Sequence, residues 1–313
     1  MITWGINALN HGSSLTVFSG NELSIHESCS SDELDTSLII RAFNYGGPDK
    51  IYWYERPWLK KFRQLWAGQY SRAFDRSVIP RQYLKKINVD YAKVFYTSHH
   101  ASHAAAGYFT SPFDNAAIIV LDAIGEFESA SIWKAEGDQL SRVWSKSYPN
   151  SLGLFYSAFS DLIGLIPIEE EGKLQLMSEK GDPEKYYSDI KKYFNGTVSL
   201  NFNFHKGVLD WNHAILNDQD KNDIAAAVQR VFEEQILSVH QHAKKIVNSD
   251  NLVYMGGCAF NSKANDLIEE QWKKIWSLPN PGDASSSLGA ILYHTKQRVK
   301  WKHGLAKHIK IKV

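Results

Sequence analysis

The sequence predicts an α/β protein made of two lobes, each built on a β-sheet. A module of strand, polar turn, strand, turn and strand occurs twice along the chain. Stretches with the period of amphipathic helices lie between and after the two modules. The chain has 313 residues, 43% of them hydrophobic and 22% charged, so it can bury a large core and exceeds the size at which single cores usually stop growing.

The two modules define the predicted lobes. The first module has strands at residues 2–7, 15–18 and 22–26, and the second has strands at residues 116–121, 130–134 and 140–145. Two copies of such a module are typical of the actin-like fold of sugar kinases and Hsp70-like proteins, in which duplicated RNase H-like lobes present polar turns to a nucleotide's phosphates. We therefore predict an N-terminal lobe at residues 1–112, a C-terminal lobe at 113–295 and a basic tail at 296–313.

The remaining elements supply further strands and the helical layers. We predict a strand at residues 51–54, then one amphipathic helix at 58–74. Four cations of that helix are interpreted as a solvated face, with contact to a phosphate or an acceptor as the alternative: Lys60, Lys61, Arg63 and Arg72. Later elements are helices at 151–165 and 222–247, a buried strand at 252–255, a short helix after Asn261 and a last helix after Asp283.

Composition excludes several classes of function. Because 35 Lys and Arg balance 34 Asp and Glu, a general polycation or polyanion is excluded. The longest apolar runs fall far short of the roughly 20 residues of a membrane-spanning helix, so no membrane partner is expected. With only Cys29 and Cys258, a disulfide framework is not expected, and the first residues do not resemble an export signal. We therefore expect a cytoplasmic protein.

A histidine cluster follows the predicted strand at residues 93–96. Ser98 is a candidate N-cap, which places the histidines in the first turns of a helix. His99 and His103 then project from one face, while His100 points away. Such a pair suits iron, manganese or zinc better than magnesium. The alternative is a set of capping and core histidines.

A metal site needs a third ligand, and Asp283 is the best candidate. It follows Pro281-Gly282 at the start of a predicted helix, from which a carboxylate could reach across a cleft. Its alternative role is that of an ordinary N-cap.

Two turns could contact a nucleotide. The turn that runs from Asp122 to Glu126 ends an apolar strand, and Gly125 would allow a phosphate or acyl group to approach the backbone. An ordinary hairpin loop explains this turn equally well. Gly256 and Gly257, followed by Asn261, would let the backbone lie flat against a base and ribose, although this signal is weak by itself.

An ordered set of motifs resembles one known family. The motifs are Ser98-His99-His100-Ala101-Ser102-His103-Ala104-Ala105, residues 122–126, Ser151-Leu152-Gly153-Leu154-Phe155-Tyr156-Ser157, Glu171-Gly172-Lys173, residues 222–229, Gly256-Gly257-Cys258-Ala259-Phe260-Asn261 and Pro281-Gly282-Asp283. Together they resemble the ATP-dependent O-carbamoyltransferases of nodulation-factor and antibiotic biosynthesis. The chain is more distantly similar to the threonylcarbamoyl-transferring enzyme of tRNA adenosine modification, and the resemblance extends from Ile2 to about Tyr293.

The resemblance implies a set of ligands and a set of contacts. Iron or a similar ion would be held by His99, His103 and Asp283. ATP or carbamoyl-adenylate would be bound against Asp122, Gly125, Glu126, Gly256, Gly257 and Asn261. Glu171 and Lys173 match an acidic-Gly-Lys segment, with a surface ion pair as the alternative, and Asp223 matches a position facing the cleft, with a helix cap as the alternative.

The chain also departs from the family pattern. His11 is followed by Gly12 where the family has an aspartate, and no basic segment with its expected lysine occurs at residues 29–35. The family's adenylate-forming domain does not fit into this length, so the resemblance implies the transfer half alone. We expect a separate protein to supply the activated carbamoyl group.

The expected function is transfer of a carbamoyl group from carbamoyl-adenylate, made from carbamoyl phosphate and ATP, to an acceptor hydroxyl. His11 or Asp122 would take the hydroxyl proton, and we prefer His11 because a neutral imidazole acts near pH 7, although it could also be a simple turn residue. The alternative function is a non-catalytic scaffold that binds a nucleotide and a metal. A kinase is disfavoured because histidines are poor magnesium ligands.

The acceptor is less defined by the sequence than the donor. The tail at residues 296–313 carries several cations and no acidic residue, and Trp301 could stack on a base. A nucleotide or nucleic acid acceptor is therefore one interpretation, and a small metabolite is another. A solvated C-terminus is the alternative role of the tail.

Overall fold

The computed structural model describes residues 1–300. The strands are β1 (Ile2–Asn10), β2 (Gly12–Ser19), β3 (Glu22–Cys29), β4 (Lys50–Trp53), β5 (Lys93–Tyr96), β6 (Asn115–Gly125), β7 (Glu128–Glu136), β8 (Gln139–Ser147), β9 (Phe194–Gly196), β10 (Ser199–Leu200), β11 (Asn251–Met255) and β12 (Lys274–Trp276). The α-helices are α1 (Thr36–Phe43), α2 (Pro57–Trp66), α3 (Tyr70–Phe74), α4 (Pro80–Lys86), α5 (His99–Thr110), α6 (Leu152–Leu162), α7 (Glu171–Met177), α8 (Glu184–Lys191), α9 (Asp218–Ile246), α10 (Ser262–Ile268) and α11 (Ser286–Thr295).

Two five-stranded sheets share one topology. The first has the order β3-β2-β1-β4-β5, and the second has the order β8-β7-β6-β11-β12. In each sheet the first three strands along the chain are antiparallel neighbours, the fourth pairs in parallel with the first, and the fifth pairs in parallel with the fourth. The duplicated module that the sequence predicts is confirmed.

Helices α5 and α11 form the layer between the two sheets. Helix α11 packs on β1, β2 and β4, whereas α5 contacts β6, β7 and β11. The two helices approach closely, because a Cβ atom at Gly289 of α11 would lie 1.8 Å from the carbonyl oxygen of Ser102 in α5. Helix α11, which the predicted boundaries assign to the second lobe, thus packs on the first sheet.

Strand β6 belongs to two cores. Its alternating side chains Ile118 and Val120 join the core around the first sheet, α5 and α11. Ile119 and Leu121 join the core beneath α6 and α9. Because successive side chains of a strand point to opposite faces, a continuous apolar run is needed where both faces are covered.

The predicted single helix at residues 58–74 is wrong. Two helices, α2 and α3, are separated by a turn in which Gly68 has a φ of +73°. The expectation of a solvated charged face holds for the exposed Arg72 but not for Arg63, which is only 8% exposed, or for Lys60, which pairs with Glu55. The exposed side of these helices is aromatic instead and consists of Trp58, Phe62, Trp66, Tyr70 and Phe74.

Two C-terminal cations that the structure describes, Lys296 and Arg298, contact the protein itself. The Arg298 guanidinium donates to the carbonyl oxygen of Tyr108 at 3.1 Å and lies 4.2 Å from its ring centroid. The rest of the predicted basic tail, residues 301–313, lies outside the described residues. Within residues 1–300, no helix combines the length and apolar character needed to cross a membrane.

Candidate metal centre and adjoining cavity

The first turns of α5 place two imidazoles side by side. Ser98 has the extended backbone of an N-cap, with φ −68° and ψ 146°, although its side chain makes no capping bond. The helix therefore begins at His99, and the four-residue spacing directs His99 and His103 to one face, as predicted. Their Nε2 atoms are 3.1 Å apart, and both residues are buried. His100 points elsewhere and bonds through Nδ1 to the Ser131 hydroxyl at 2.7 Å.

Asp283 reaches this pair from the opposite end of the chain. It lies in the 3₁₀ turn Asp283–Ser285, and Gly282 holds the N-cap position of that turn. One carboxylate oxygen, Oδ1, is 3.2 Å from the Nε2 atoms of both His99 and His103. The carboxylate therefore faces the imidazoles and does not cap a helix. The amide of Asn7 in β1 fixes the backbone by donating to the Asp283 carbonyl oxygen at 2.9 Å.

Asp122 is the fourth member of the cluster. Strand β6 continues past Asp122 to Gly125. Its pairing with β7 is irregular between Leu121 and Gly125, and such an irregularity changes the direction of the side chains. Its Oδ2 lies 3.0 Å from His99 Nε2 and 3.4 Å from His103 Nε2. The sequence suggests Asp122 as a base, but the structure places its carboxylate among the candidate ligands.

The four side chains strongly influence one another's pKa values. Burial alone lowers the pKa of His99, but the carboxylates of Asp283 and Asp122 outweigh it and hold the pKa well above its usual value. The pKa of His103 is raised by the same carboxylates against the effect of its burial. Burial raises the pKa of Asp122, but the two imidazoles outweigh it and leave it well below its usual range. Charged hydrogen bonds between the two imidazoles and the two carboxylates therefore link the members of the cluster.

The cluster fits a divalent transition-metal ion. One donor atom from each of the four side chains lies within 4.8 Å of all the others. Donors bound at about 2.0–2.1 Å in tetrahedral or octahedral geometry are about 2.9–3.4 Å apart. The measured separations of 3.0–3.4 Å for the imidazole–carboxylate contacts match this spacing. Two imidazoles with carboxylates are a donor set that suits iron, manganese or zinc.

Packing holds the His99 ring in place. Its Nδ1 atom is buried with no hydrogen-bond partner among residues 1–300, so on that side of the ring only packing contacts fix its orientation. Tyr54 lies 5.4 Å from the ring of His99 between centroids. A Cβ atom at Gly125 would lie 2.4 Å from His99 Cδ2, so only glycine fits there. Gly125 therefore packs against an imidazole and is not open to a phosphate.

A cavity of about 580 Å³ adjoins the cluster, between the lobes. Asp122 and Asp283 form part of its wall. The first lobe contributes Asn7, His11, Gly12, Ser13, Ser28, Cys29 and Ser30. The second lobe contributes Gly153, Tyr156, Glu171, Gly257 and Asn261, among others. The cavity is large enough for a small organic ligand.

Six of the predicted residues line this cavity: His11, Asp122, Glu171, Gly257, Asn261 and Asp283. His11 is exposed at the turn between β1 and β2. Glu171 accepts a hydrogen bond from the Ser157 hydroxyl, and burial raises the pKa of its carboxyl. Asn261 pairs with Gln229 through both atoms of its amide, at 2.9 and 3.0 Å.

The other predicted nucleotide contacts lie elsewhere. The Glu126 carboxylate binds the Arg56 guanidinium at 2.7 Å and the Arg56 backbone N–H at 2.6 Å, which joins the two lobes. Asp223 binds Lys185 at 3.1 Å, and Lys173 pairs with Glu170 on the surface.

Gly256 is also not open to a ligand, because a Cβ there would lie 2.2 Å from the Leu121 carbonyl oxygen. Gly256 has a φ of +94°, so its role is to turn the chain tightly against β6.

Sequence reasoning missed several lining residues. Asn7 is not part of any sequence motif, and its hydrogen-bond partner, Asp283, lies 276 positions away along the chain. Ser28 and Cys29 end β3, and Ser30 follows that strand, so all three lie near His11 at the cavity wall, where no sequence motif marks them. The alternation of the β2–β3 hairpin could have indicated that this edge faces the cleft.

The family described as Carbamoyltransferase N-terminus matches residues 52–292. The chain belongs to this family.

Among curated relatives, an uncharacterised protein of Synechocystis is 35% identical over 228 residues, which are 65% of this chain and 37% of that protein. Nodulation protein NolO of Bradyrhizobium diazoefficiens is 25% identical over 62% of this chain and 37% of its own length. A tRNA N6-adenosine threonylcarbamoyltransferase of Pelagibacter ubique is 29% identical over 46% of this chain and 44% of its own. The carbamoyltransferase-family chain thus spans about two fifths of the length of these relatives.

Solved structures confirm the fold. Component A of the (R)-2-hydroxyglutaryl-CoA dehydratase of Acidaminococcus fermentans has a TM-score of 0.51 at 15% identity, covering 94% of this chain and 97% of the other. The activator of 2-hydroxyisocaproyl-CoA dehydratase from Clostridium difficile, with bound ADPNP, has a TM-score of 0.50 at 15% identity, covering 97% and 100%. The chain has the two-lobed actin-like fold that the sequence predicts.

Proposed function

We propose that this member of the carbamoyltransferase family moves a carbamoyl group from carbamoyl-adenylate to a hydroxyl group of an acceptor. The observation that carries this proposal is the convergence of His99, His103, Asp122 and Asp283 in one cluster, whose two carboxylates line the cavity between the lobes. A group bound in that cavity would lie beside the cluster. Family membership supplies the carbamoyl chemistry.

The cluster would serve as the metal centre. His99, His103 and Asp283 are the proposed ligands, and Asp122 is near enough to be a fourth. Iron is our first choice, with manganese or zinc as alternatives. A bound ion would supply Lewis-acid polarisation of the carbamoyl carbonyl group, which lowers the barrier to attack at carbon.

The cavity would hold the adenylate. Gly257 and Asn261 line its wall, the Asn261 amide is held by its two hydrogen bonds to Gln229, and the Tyr156 hydroxyl lies 3.4 Å from that amide. Glu171 would accept hydrogen bonds from hydroxyl groups of the ligand through Oε2, since its bonds from the Ser157 hydroxyl and the Ile168 backbone N–H both go to Oε1. AMP is the leaving group, and the acceptor oxygen forms the new bond to the carbamoyl carbon.

His11 is the proposed base. Its imidazole lies at an exposed turn of the cavity wall, where an acceptor hydroxyl could reach it. Asp122 is less suitable, because its carboxylate faces two imidazoles at 3.0 and 3.4 Å. A positioned base of this kind typically contributes about 10²–10⁴ in rate.

The activated carbamoyl group would be formed outside residues 1–300, and we propose a separate protein as its source. The acceptor is a hydroxyl-bearing metabolite, nucleotide or nucleic acid. The alternative is a scaffold that binds metal and nucleotide without transfer.

The test uses the purified chain, metal analysis at an X-ray absorption edge and calorimetric titration with AMP. Carbamoyl phosphate labelled with ¹⁴C is then supplied with ATP, a panel of hydroxyl compounds and, in one arm, the activating part of a longer relative. We expect one metal per chain, AMP binding and label transfer only in that arm. Transfer by the chain alone would refute the need for a partner. Metal and AMP binding without transfer in any arm would favour the scaffold, and absence of both would refute the proposed site.

A further inference from the structure

The wall of the cavity beside the metal centre contains an unpaired hydrogen-bond acceptor that the proposed function does not use. Asn7 lines this wall and is only 1% exposed. Its side-chain oxygen, Oδ1, is buried and has no hydrogen-bond partner within residues 1–300. Buried polar groups in proteins are nearly always paired, so an unpaired one in a residue that lines a cavity indicates a group that a ligand satisfies.

The orientation of the Asn7 amide follows from its other contact. The amide nitrogen, Nδ2, donates to the backbone carbonyl oxygen of Asp283 at 2.9 Å. A carbonyl oxygen only accepts hydrogen bonds, so the amide must turn Nδ2 and not Oδ1 toward Asp283. The unpaired atom is therefore an acceptor, and its partner on a ligand must be a donor.

This acceptor lies close to the metal centre. Asn7 bonds to the backbone of the residue whose carboxylate is 3.2 Å from the Nε2 atoms of His99 and His103. The pairing of β1 with β2 is irregular between Asn7 and Asn10, and irregularities of this kind often redirect side chains beside binding sites. Asn7 and Asp283 both line the cavity, so the acceptor and the cluster border the same part of it.

A second orphan atom at this wall is less informative. Among the described residues that line the cavity, Ser13 also has a buried side-chain oxygen without a partner. Its hydroxyl can donate or accept, so it does not select one kind of ligand group. Of these two atoms, only Asn7 Oδ1 is restricted to accepting, and it therefore specifies an N–H or O–H group on the ligand.

We propose that Asn7 Oδ1 accepts a hydrogen bond from the amino group of the carbamoyl ligand and thereby selects a carbamoyl group over other acyl groups. The inference rests on the proposed function, in which the carbamoyl carbonyl group lies beside the metal centre. The amino group and the carbonyl oxygen are bonded to the same carbon atom, so the amino group must also lie near the cluster.

An acetyl group would be recognised poorly by the same wall. It carries a methyl group where the carbamoyl group carries the amine, and this methyl group would leave Oδ1 unpaired while excluding water from it. A site built to bond an N–H group rejects the analogue that lacks it. Asn7 is thus a specificity-determining residue for the transferred group.

The experiment compares two stable analogues of an acyl-adenylate by calorimetric titration of the full chain. The analogues, 5′-O-(N-carbamoylsulfamoyl)adenosine and 5′-O-(N-acetylsulfamoyl)adenosine, differ only in an amino group against a methyl group. We expect the parental chain to bind the carbamoyl analogue at least about fivefold more tightly, which is the scale expected when one buried acceptor is left unpaired. In Asn7→Ala the two affinities should become equal.

The ratio of the two affinities separates recognition from a structural role. Asn7→Ala also removes the bond to the Asp283 carbonyl oxygen, which can weaken both analogues and AMP alike but leaves the ratio unchanged. Asn10→Ala is the matched control, because Asn10 ends the same strand and is not among the residues that line the cavity. It should keep the parental ratio. If Asn7→Ala does not fold, Asn7→Ser makes the same test, since its side chain is too short to replace Oδ1.

The outcomes distinguish this inference from the proposed function. Equal binding of the two analogues by the parental chain would overturn the role of Asn7 and leave the adenylate site intact, with water as the partner of Oδ1. An unchanged preference in the Asn7 variants would overturn it as well. If AMP and both analogues fail to bind the parental chain, the proposed adenylate site is refuted together with this inference.

Discussion

His103 offers the most direct test of the metal centre at the scale of single residues. Its Nε2 atom is 3.1–3.4 Å from three other candidate donors, so His103→Ala removes one donor and leaves the others in place. We expect metal affinity to fall at least tenfold, roughly the scale of losses when the surroundings of a metal site are altered. Inductively coupled plasma mass spectrometry of dialysed protein measures the stoichiometry.

The matched control is His242→Ala, since this histidine of α9 contacts Trp144 at 5.4 Å and lies outside the cluster. Full metal occupancy in His103→Ala would contradict the assignment. Metal affinity should also increase with pH, because the raised pKa values of His99 and His103 mean that protons compete with the ion for the same nitrogen atoms.

His240 should make the fold sensitive to acid. It is fully buried in α9 and accepts a hydrogen bond from the Trp272 indole at 3.1 Å, and burial lowers its pKa to about 3. The folded protein keeps this ring neutral, whereas the unfolded chain takes up a proton below about pH 6.5. The free energy of unfolding therefore decreases as the pH falls from 6.5 toward 3.

His240→Gln retains an acceptor for Trp272 and cannot titrate. Urea denaturation at pH 7.5 and pH 5.0 should show that the loss of stability between these values shrinks by about 2 kcal/mol in this variant. His242→Gln is the control on the same helix. An unchanged pH dependence in His240→Gln would show that the ring is not buried in its neutral form.

At the scale of elements, the contact between α5 and α11 determines the distance between the sheets. A Cβ at Gly289 would lie 1.8 Å from the Ser102 carbonyl oxygen and 3.0 Å from Ala106 Cβ. Gly289→Ala must therefore push the helices apart, and overpacking of this kind costs about 1–3 kcal/mol. Chemical denaturation measures the loss.

Gly172→Ala is the matched control for this substitution. Gly172 is also helical, but an added Cβ meets nothing within 4 Å, so we expect no loss and a gain of up to about 1 kcal/mol. Equal effects at the two positions would mean that helix propensity and not the close contact decides the outcome.

Elements with a local signal were predictable, and contacts between distant elements were not. The apolar run of β6 and the four-residue spacing of His99 and His103 follow from periods of 2 and 3.6 residues, so the sheet modules and the paired imidazoles could be deduced. The direction of the Asp122 side chain depends on an irregularity in β6, and no sequence pattern indicates that irregularity.

The same distinction explains the errors in the predicted site. The sequence predicts Glu126 as a nucleotide contact, but its partner is Arg56, 70 positions away, and no local pattern indicates that pairing. For α2 the period is right, but its charged side is not simply solvated, because Lys60 bonds to Glu55 and Lys61 to a backbone carbonyl oxygen of α3. An amphipathic pattern defines a polar and an apolar face of a helix, but it does not show which face packs against the rest of the protein.

On the scale of the whole molecule, the candidate metal centre links parts of both lobes. His99 and His103 come from the layer between the sheets, Asp122 from the end of a strand of the second sheet, and Asp283 from the turn that leads into α11. The Arg56–Glu126 ion pair is a second connection between the lobes. An ion bound by all four side chains would therefore oppose separation of these elements.

This connection predicts that the metal raises the stability of the whole chain. A ligand that binds only the folded state stabilises it by about 2.7 kcal/mol at a free concentration of 100 times Kd. Differential scanning fluorimetry with added Fe²⁺, Mn²⁺ or Zn²⁺ should show Tm rising with ion concentration and falling again with EDTA. His103→Ala should lose this response, whereas His242→Ala should keep it. If all three ions leave the parental Tm unchanged at concentrations that saturate binding, the four side chains do not hold a metal across the lobes, and the charged hydrogen bonds among them are sufficient to explain their convergence.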